Sequence, residues 1–172
     1  MARAYLSLGS NIDREHYVTI ALDNLSTIYG DLKLSSVFES EPLGFQGGRF
    51  YNMAVGIDTS QTVGELVETL LEIENDCERN RDTPRFSSRT LDLDLLIYAD
   101  LVGLIDNIYL PRKEIIESAF VLCPLAEIAG DDIHPTTKLS YAELWSCFDK
   151  GEQGLWPVDF TWNGELISTT RT

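Results

Sequence analysis

The chain has 172 residues and a mass of 19.3 kDa, room for a single domain of ordinary size with a sizeable core. Thirteen Lys and Arg against 28 Asp and Glu leave a net charge of −15, which argues against a general nucleic-acid binder or a protein held to an anionic membrane. The start, MARAYLSLGSN, lacks the basic-then-apolar run of a signal peptide, and no apolar stretch approaches the ~18 residues of a membrane span. Cys77, Cys123 and Cys147 are far apart and form no CxxC, so a reducing, cytoplasmic setting is expected. No protein partner is evident.

Residues 3–9 alternate loosely and end in Gly-Ser-Asn, a strand leaving the core through a turn. Val18, Ala21, Leu22, Leu25 and Ile28 then recur at helical spacing over 14–29, with Asn11 or Asp13 as the cap. Residues 32–40 alternate again and predict one strand, followed by a Gly-rich loop and a further strand at 51–58. Ser60 or Thr59 opens a helix over 62–79, where Thr62 and Glu65 have capping-box spacing and Val63, Leu66, Val67, Leu70, Ile73 and Cys77 form the apolar stripe. RTLDLDLLIYAD is the clearest strand, and 104–110 is expected to pair with it. Short helices follow at 112–117, 119–129 and about 139–149, then a tail, 151–172, whose Phe160 and Trp162 are expected to pack on the body. The order β-α-β-β-α-β predicts an α+β fold, a ferredoxin-like sandwich with a mostly antiparallel sheet.

In a strand over 91–95, Asp92 and Asp94 face one side while Leu91, Leu93 and Leu95 face the other. Two carboxylates ~7 Å apart could share a pair of hard cations, or could simply be the wet face of the strand. Arg79, Arg81, Arg85 and Arg89 lie just before them, four of the 13 basic residues in an acidic chain. Guanidinium forks bind phosphate oxygens and carboxylates hold the metal that bridges others, so loop and pair together favour phosphoryl transfer over a set of solvated surface arginines.

Glu74 falls on the stripe between Leu70 and Cys77 and is expected to point inward, bonded either to a loop arginine or to a nucleotide. Asn52, flanked by Phe50 and Tyr51, either closes a turn or reads the edge of a flat heterocycle. There is no GxxxxGK[ST], GxGxxG or GxSxG, and neither His16 nor His134 clusters with a cysteine.

Ala4-Tyr-Leu-Ser-Leu-Gly-Ser-Asn11, Pro42-Leu-Gly44, Tyr51-Asn52, Arg79-x-Arg81, Arg85-Phe-Ser-Ser-Arg89-Thr-Leu-Asp92-Leu-Asp94-Leu-Leu and Ala119-Phe-Val-Leu-Cys-Pro-Leu125 occur in this order over roughly residues 3–145. On these runs the chain resembles the 6-hydroxymethyl-7,8-dihydropterin pyrophosphokinases of folate biosynthesis. The resemblance implies an α-β-α domain that transfers the pyrophosphoryl unit of ATP to the pterin's hydroxymethyl oxygen and releases AMP. It further implies that Asp92 and Asp94 hold two Mg²⁺ ions and that Arg79, Arg81 and Arg89 serve the catalytic loop and bind phosphates. Glu74, Arg85, Arg112 and Lys113 fall on the ATP side, and Ser40, Leu43, Phe50, Asn52, Phe86 and Phe120 at the pterin.

The chain departs from the family pattern at four places. Pro111-Arg112-Lys113 stands where Pro-His-Tyr or Pro-His-Pro is common, Ser118 replaces an arginine, Phe86 a tryptophan, and Ser87-Ser88 a Gly-Pro or similar pair. Arg112 and Lys113 restore cationic charge near phosphate but not the acid-base behaviour of histidine. Two further readings follow from these changes: a paralogue that binds ATP or pterin without turnover, and an enzyme for a different pterin, with Phe86 and Glu41 as the residues to inspect. The expected organisation is a single pyrophosphokinase domain over 1–172, with 150–172 as a C-terminal extension.

Overall fold

The structure, a computed structural model, describes residues 1–41, 47–77, 91–151 and 153–170. In chain order its elements are β1 (Ala2–Ser10), α1 (Arg14–Tyr29), β2 (Lys33–Leu34), β3 (Val37–Ser40), β4 (Phe50–Thr59), α2 (Val63–Cys77), β5 (Asp92–Tyr98), β6 (Gly103–Ile105), β7 (Ile108–Leu110), α3 (Glu114–Glu117), α4 (Ala119–Ala129), α5 (Tyr141–Ser146), β8 (Leu155–Val158), β9 (Phe160–Trp162) and β10 (Glu165–Ser168).

The main sheet runs β5-β1-β4-β3-β8, with β2 also against β4, and each of these pairings is antiparallel. With β2 and β3 taken as one interrupted strand, this is the strand order of the expected ferredoxin-like sandwich. Alternation along the strands gives the sheet two apolar faces. Leu6, Leu8, Met53, Val55, Leu93 and Leu95 pack under α1 and α2, while Tyr5, Ala54 and Leu96 pack under α3, α4 and α5. The layers are therefore α-β-α.

Local chemistry accounts for several element ends. Thr62 Oγ1 accepts from Glu65 N at 3.2 Å and Glu65 Oε2 accepts from Thr62 N at 2.8 Å, so Thr62 itself caps α2, in place of Ser60 or Thr59. Asp13 stands at the start of α1 but is left-handed, at φ 46°, and its side chain makes no capping bond. Ile28 does not join the stripe of α1; it is 48% exposed, and Tyr29 packs on the core at that end of the helix.

Three strand expectations change. The single strand over 32–40 is broken at Ser35-Ser36, because Ser35 turns both its backbone N–H and its hydroxyl to Ala54: the N–H donates to Ala54 O at 3.1 Å, and the hydroxyl accepts from Ala54 N at 2.8 Å. Residues 104–110 do not pair with β5. They fold on themselves as the β6–β7 hairpin, turning at Asp106-Asn107, both at positive φ as a tight two-residue turn requires.

The tail is the third change, since it forms strands of its own. β8 extends the main sheet beside β3, and β9–β10 is a hairpin whose Phe160 is buried in the core under α1 and α2. Ser168 fastens it: its hydroxyl accepts from Val37 N at 2.9 Å and lies 2.6 Å from Val158 O. Trp162 Nε1 donates to Asp23 Oδ1 of α1 at 2.9 Å. Among the described residues, no helix is long and apolar enough to cross a membrane.

Candidate active site

β1 aligns the two groups of candidate residues. Gly9 lies opposite Asn52 of β4 on one side and opposite Asp92 of β5 on the other; one pleat along, Ser7 lies opposite Ala54 and Asp94. Residues directly opposite in antiparallel strands share a face. Asn52, Gly9 and Asp92 thus form a row across the sheet, spanning two inter-strand steps or roughly 9–10 Å. Asp94 stands on the same face as Asp92, and both are half-buried, whereas Leu91, Leu93 and Leu95 are buried on the other. This is the alternation read from the sequence.

The Asn52 end of the row is a buried polar pair. Asn52 Nδ2 donates to Ser40 Oγ at 2.8 Å, and both residues are buried. Phe50 lies opposite Ser40 in the β3–β4 register and is half-buried. Gly9 leaves room for the amide, since a Cβ there would lie 3.3 Å from Asn52 Oδ1. Sequence reasoning missed Gly9. Its signal was a glycine inside an apolar strand, a position that marks the close approach of another group.

A small hollow lined by Ser40, Glu41, Ala119 and Phe120 lies next to this pair. Phe120 is the second residue of α4 and is half-buried. Glu39, one residue before Ser40, anchors the local cations: Arg14 Nη1 reaches its carboxylate at 2.8 Å and Arg49 Nη1 at 3.2 Å, while the Arg14 guanidinium sits 3.9 Å over the Tyr51 ring. Burial pushes the Tyr51 phenol above its usual value, with Arg14 opposing the shift and Glu15 and Glu39 adding to it.

On the carboxylate side, Arg112 is tied to β5, its N–H donating to Leu96 O at 3.0 Å. Its side chain is half-buried with Nε 3.4 Å from Glu114 Oε2, and Lys113 is exposed at the start of α3. Glu74 is half-buried on α2, beside the buried Ile73. α2 lies over the face of the sheet opposite Asp92 and Asp94. Leu43, Arg79, Arg81, Arg85, Phe86 and Arg89 lie outside the described residues. Asp92 and Asp94 offer hard oxygen donors at a partly wetted position, a donor set suited to a divalent cation that keeps several waters.

A model of the 7,8-dihydro-6-hydroxymethylpterin-pyrophosphokinase family matches residues 5–130. The chain belongs to that family. Among its relatives in the family, the 2-amino-4-hydroxy-6-hydroxymethyldihydropteridine pyrophosphokinase of Bacillus subtilis is 40% identical over 129 residues, covering 73% of this chain and 77% of that one. The pyrophosphokinase of the same description from Aquifex aeolicus is 33% identical over 137 residues, covering 78% and 85%. The fold is similar to that of a Plasmodium falciparum HPPK-DHPS crystal structure, with TM-score 0.69 at 13% identity, covering 98% of this chain and 49% of that one. This chain thus spans about half the length of the Plasmodium protein. The pyrophosphokinase match includes β4, β5 and β1 from residue 5 onward, and so all three residues of the row.

Proposed function

We propose that Asp92 and Asp94 hold two Mg²⁺ ions in this enzyme and that Ser40, Asn52, Phe50 and Phe120, with Leu43 and Phe86, form its pterin pocket. The reaction is transfer of the pyrophosphoryl group of ATP to the hydroxymethyl oxygen of 6-hydroxymethyl-7,8-dihydropterin, a step of folate biosynthesis. The hydroxymethyl oxygen bonds to the β-phosphorus, the bond from that phosphorus to the α,β-bridging oxygen breaks, AMP leaves, and the hydroxyl proton is lost.

The row Asn52-Gly9-Asp92 carries this reading. It sets an amide able to read a heterocycle edge and a carboxylate pair able to hold metal on one face, a short substrate's length apart. Ser40 orients Asn52 by accepting one of its two amide hydrogens, leaving the other hydrogen and Oδ1 for the ring. Phe50 and Phe120 supply apolar walls for a flat substrate. Bound Mg²⁺ supplies positive charge that offsets charge developing on the transferring phosphates. On the ATP side we place Arg79, Arg81, Arg85 and Arg89 with Glu74, Arg112 and Lys113, Arg79, Arg81 and Arg89 serving catalysis as phosphate clamps. We read residues 1–172 as one domain with 150–172 as its extension, and the cytoplasm as its setting, the compartment suited to three scattered cysteines.

The test is a turnover assay with purified protein, ATP, Mg²⁺ and 6-hydroxymethyl-7,8-dihydropterin, following AMP and the pterin pyrophosphate by chromatography. Stoichiometric products that vanish in Asp94→Ala support the assignment. Binding of ATP or pterin without AMP would turn the reading to a paralogue that does not turn over, or to a different pterin.

A further inference from the structure

The tail that follows residue 150 lies beyond the family match, yet one of its side chains reaches the wall of the proposed pterin pocket. Gln153 spans the junction between α3 and α4: its Oε1 accepts from Ala119 N at 2.9 Å and its Nε2 donates to Glu117 O at 3.3 Å. Ala119 N is one of the N–H groups that the first turn of α4 leaves without an intrahelical partner. Ser118, at the cap position, makes no side-chain bond to that turn. The cap of α4 is therefore supplied from 34 residues away in sequence.

The same stretch holds the facing wall. Leu155 pairs with Ser40 in the β3–β8 register, and Trp156 Nε1 donates to Glu39 Oε1 at 3.2 Å. Gln153 and Leu155 line the hollow together with Ser40 and Phe120. Residues 153–156 thus join the start of α4, which carries Phe120, to the end of β3, whose Ser40 orients Asn52.

We propose that Gln153 is a positioning residue for the pterin site: by bonding to both sides of the α3–α4 junction it fixes the ring of Phe120 relative to the Ser40–Asn52 pair. The proposal rests on the pterin reading of those three residues. Gln153 need not touch substrate. Its carboxamide is spent on Ala119 and Glu117, and its effect is to hold one pocket wall in place before the ring arrives, which lowers the ordering cost of binding.

The test is steady-state kinetics of the full-length enzyme with each substrate varied in turn. In Gln153→Ala the KM for the pterin is expected to rise about three- to tenfold, the equivalent of one or two hydrogen bonds, with the KM for ATP unchanged. Trp162→Phe, which removes a tail contact to α1 remote from the pocket, is expected to leave both values unchanged. A pterin KM unmoved in Gln153→Ala, or an equal rise for both substrates, overturns the proposal. If Gln153→Ala does not give folded protein, Gln153→Glu decides by the same comparison: it lacks the donor to Glu117, so a rise confined to the pterin supports the proposal and no rise overturns it. An unsubstituted enzyme that released no AMP would count instead against the functional reading.

Discussion

Gly9 and Asn52 face each other across β1 and β4 so closely that a methyl group on Gly9 would sit 3.3 Å from the Asn52 amide oxygen. Tyr51 O and Phe50 Cδ1 close the remaining space at 3.8 and 4.0 Å. Gly9→Ala is expected to displace the Asn52 amide from Ser40 and to cost about 1–3 kcal/mol of stability, as overpacking does. Pterin affinity should fall more than ATP affinity when both are measured by calorimetric titration. Equal losses would show that Gly9 serves the sheet and not the amide.

The metal-holding carboxylates give a different signature. Asp94→Ala removes oxygen donors from a half-buried strand position beside a like charge, so folding stability should change little. AMP release should fall by a factor on the order of 10²–10³ or more, the scale seen when an electrostatic partner of the transition state is lost. A normal circular-dichroism spectrum with turnover unchanged would falsify the metal assignment.

A third expectation concerns pH. His134 is buried, and its Nδ1 accepts from Thr136 N and Thr137 N, both at 3.2 Å, so the fold holds the neutral ring and burial lowers its pKa below the usual value. The unfolded chain, with an ordinary histidine near ~6.5, then binds a proton at a higher pH than the folded chain. The resulting stability is fully present above ~6.5 and is lost as pH falls toward the folded value. Urea midpoints taken from neutral pH downward should show this decline. His134→Asn, which keeps an acceptor near Nδ1 but cannot titrate, should flatten it.

Ser168 tests the attachment of the tail. Ser168→Ala removes the acceptor for the buried Val37 N–H at the edge where β3 meets β8, leaving a donor without its partner. The expected cost is about 1–3 kcal/mol, read from chemical denaturation. Ser168→Thr, which retains a hydroxyl, should recover part of it, and a cost no larger than at an exposed serine would mean that water reaches Val37.

What the sequence showed of this fold depended on how far each signal reached along the chain. The Asp92/Asp94 against Leu91/Leu93/Leu95 alternation was legible because period two in a strand is a local property. The β6–β7 hairpin was not: its turn, Asp106-Asn107, is embedded in an apolar run, and only the left-handed backbone of both residues reveals the reversal. The break between β2 and β3 depends on Ser35 meeting Ala54, a contact no local pattern encodes. Asn52 could equally have closed a turn; its register with Gly9 and its bond to Ser40 are what place it in the row. Gln153 offered no signal at all, because the groups it caps lie more than 30 residues upstream.

β1 precedes both of its neighbours in the chain, so it is flanked on both sides only once β4 and then β5 have been made. A chain that stops, or is cut, before Asp92 still has β4 to pair with β1 but leaves the opposite side of β1 as a bare row of backbone donors and acceptors, an invitation to join another molecule's sheet. The strand that shields that flank is the one that brings both carboxylates. Incomplete chains are therefore left without the acidic pair and prone to aggregate at the same stroke, and quality control that removes the sticky species removes the inert ones with it.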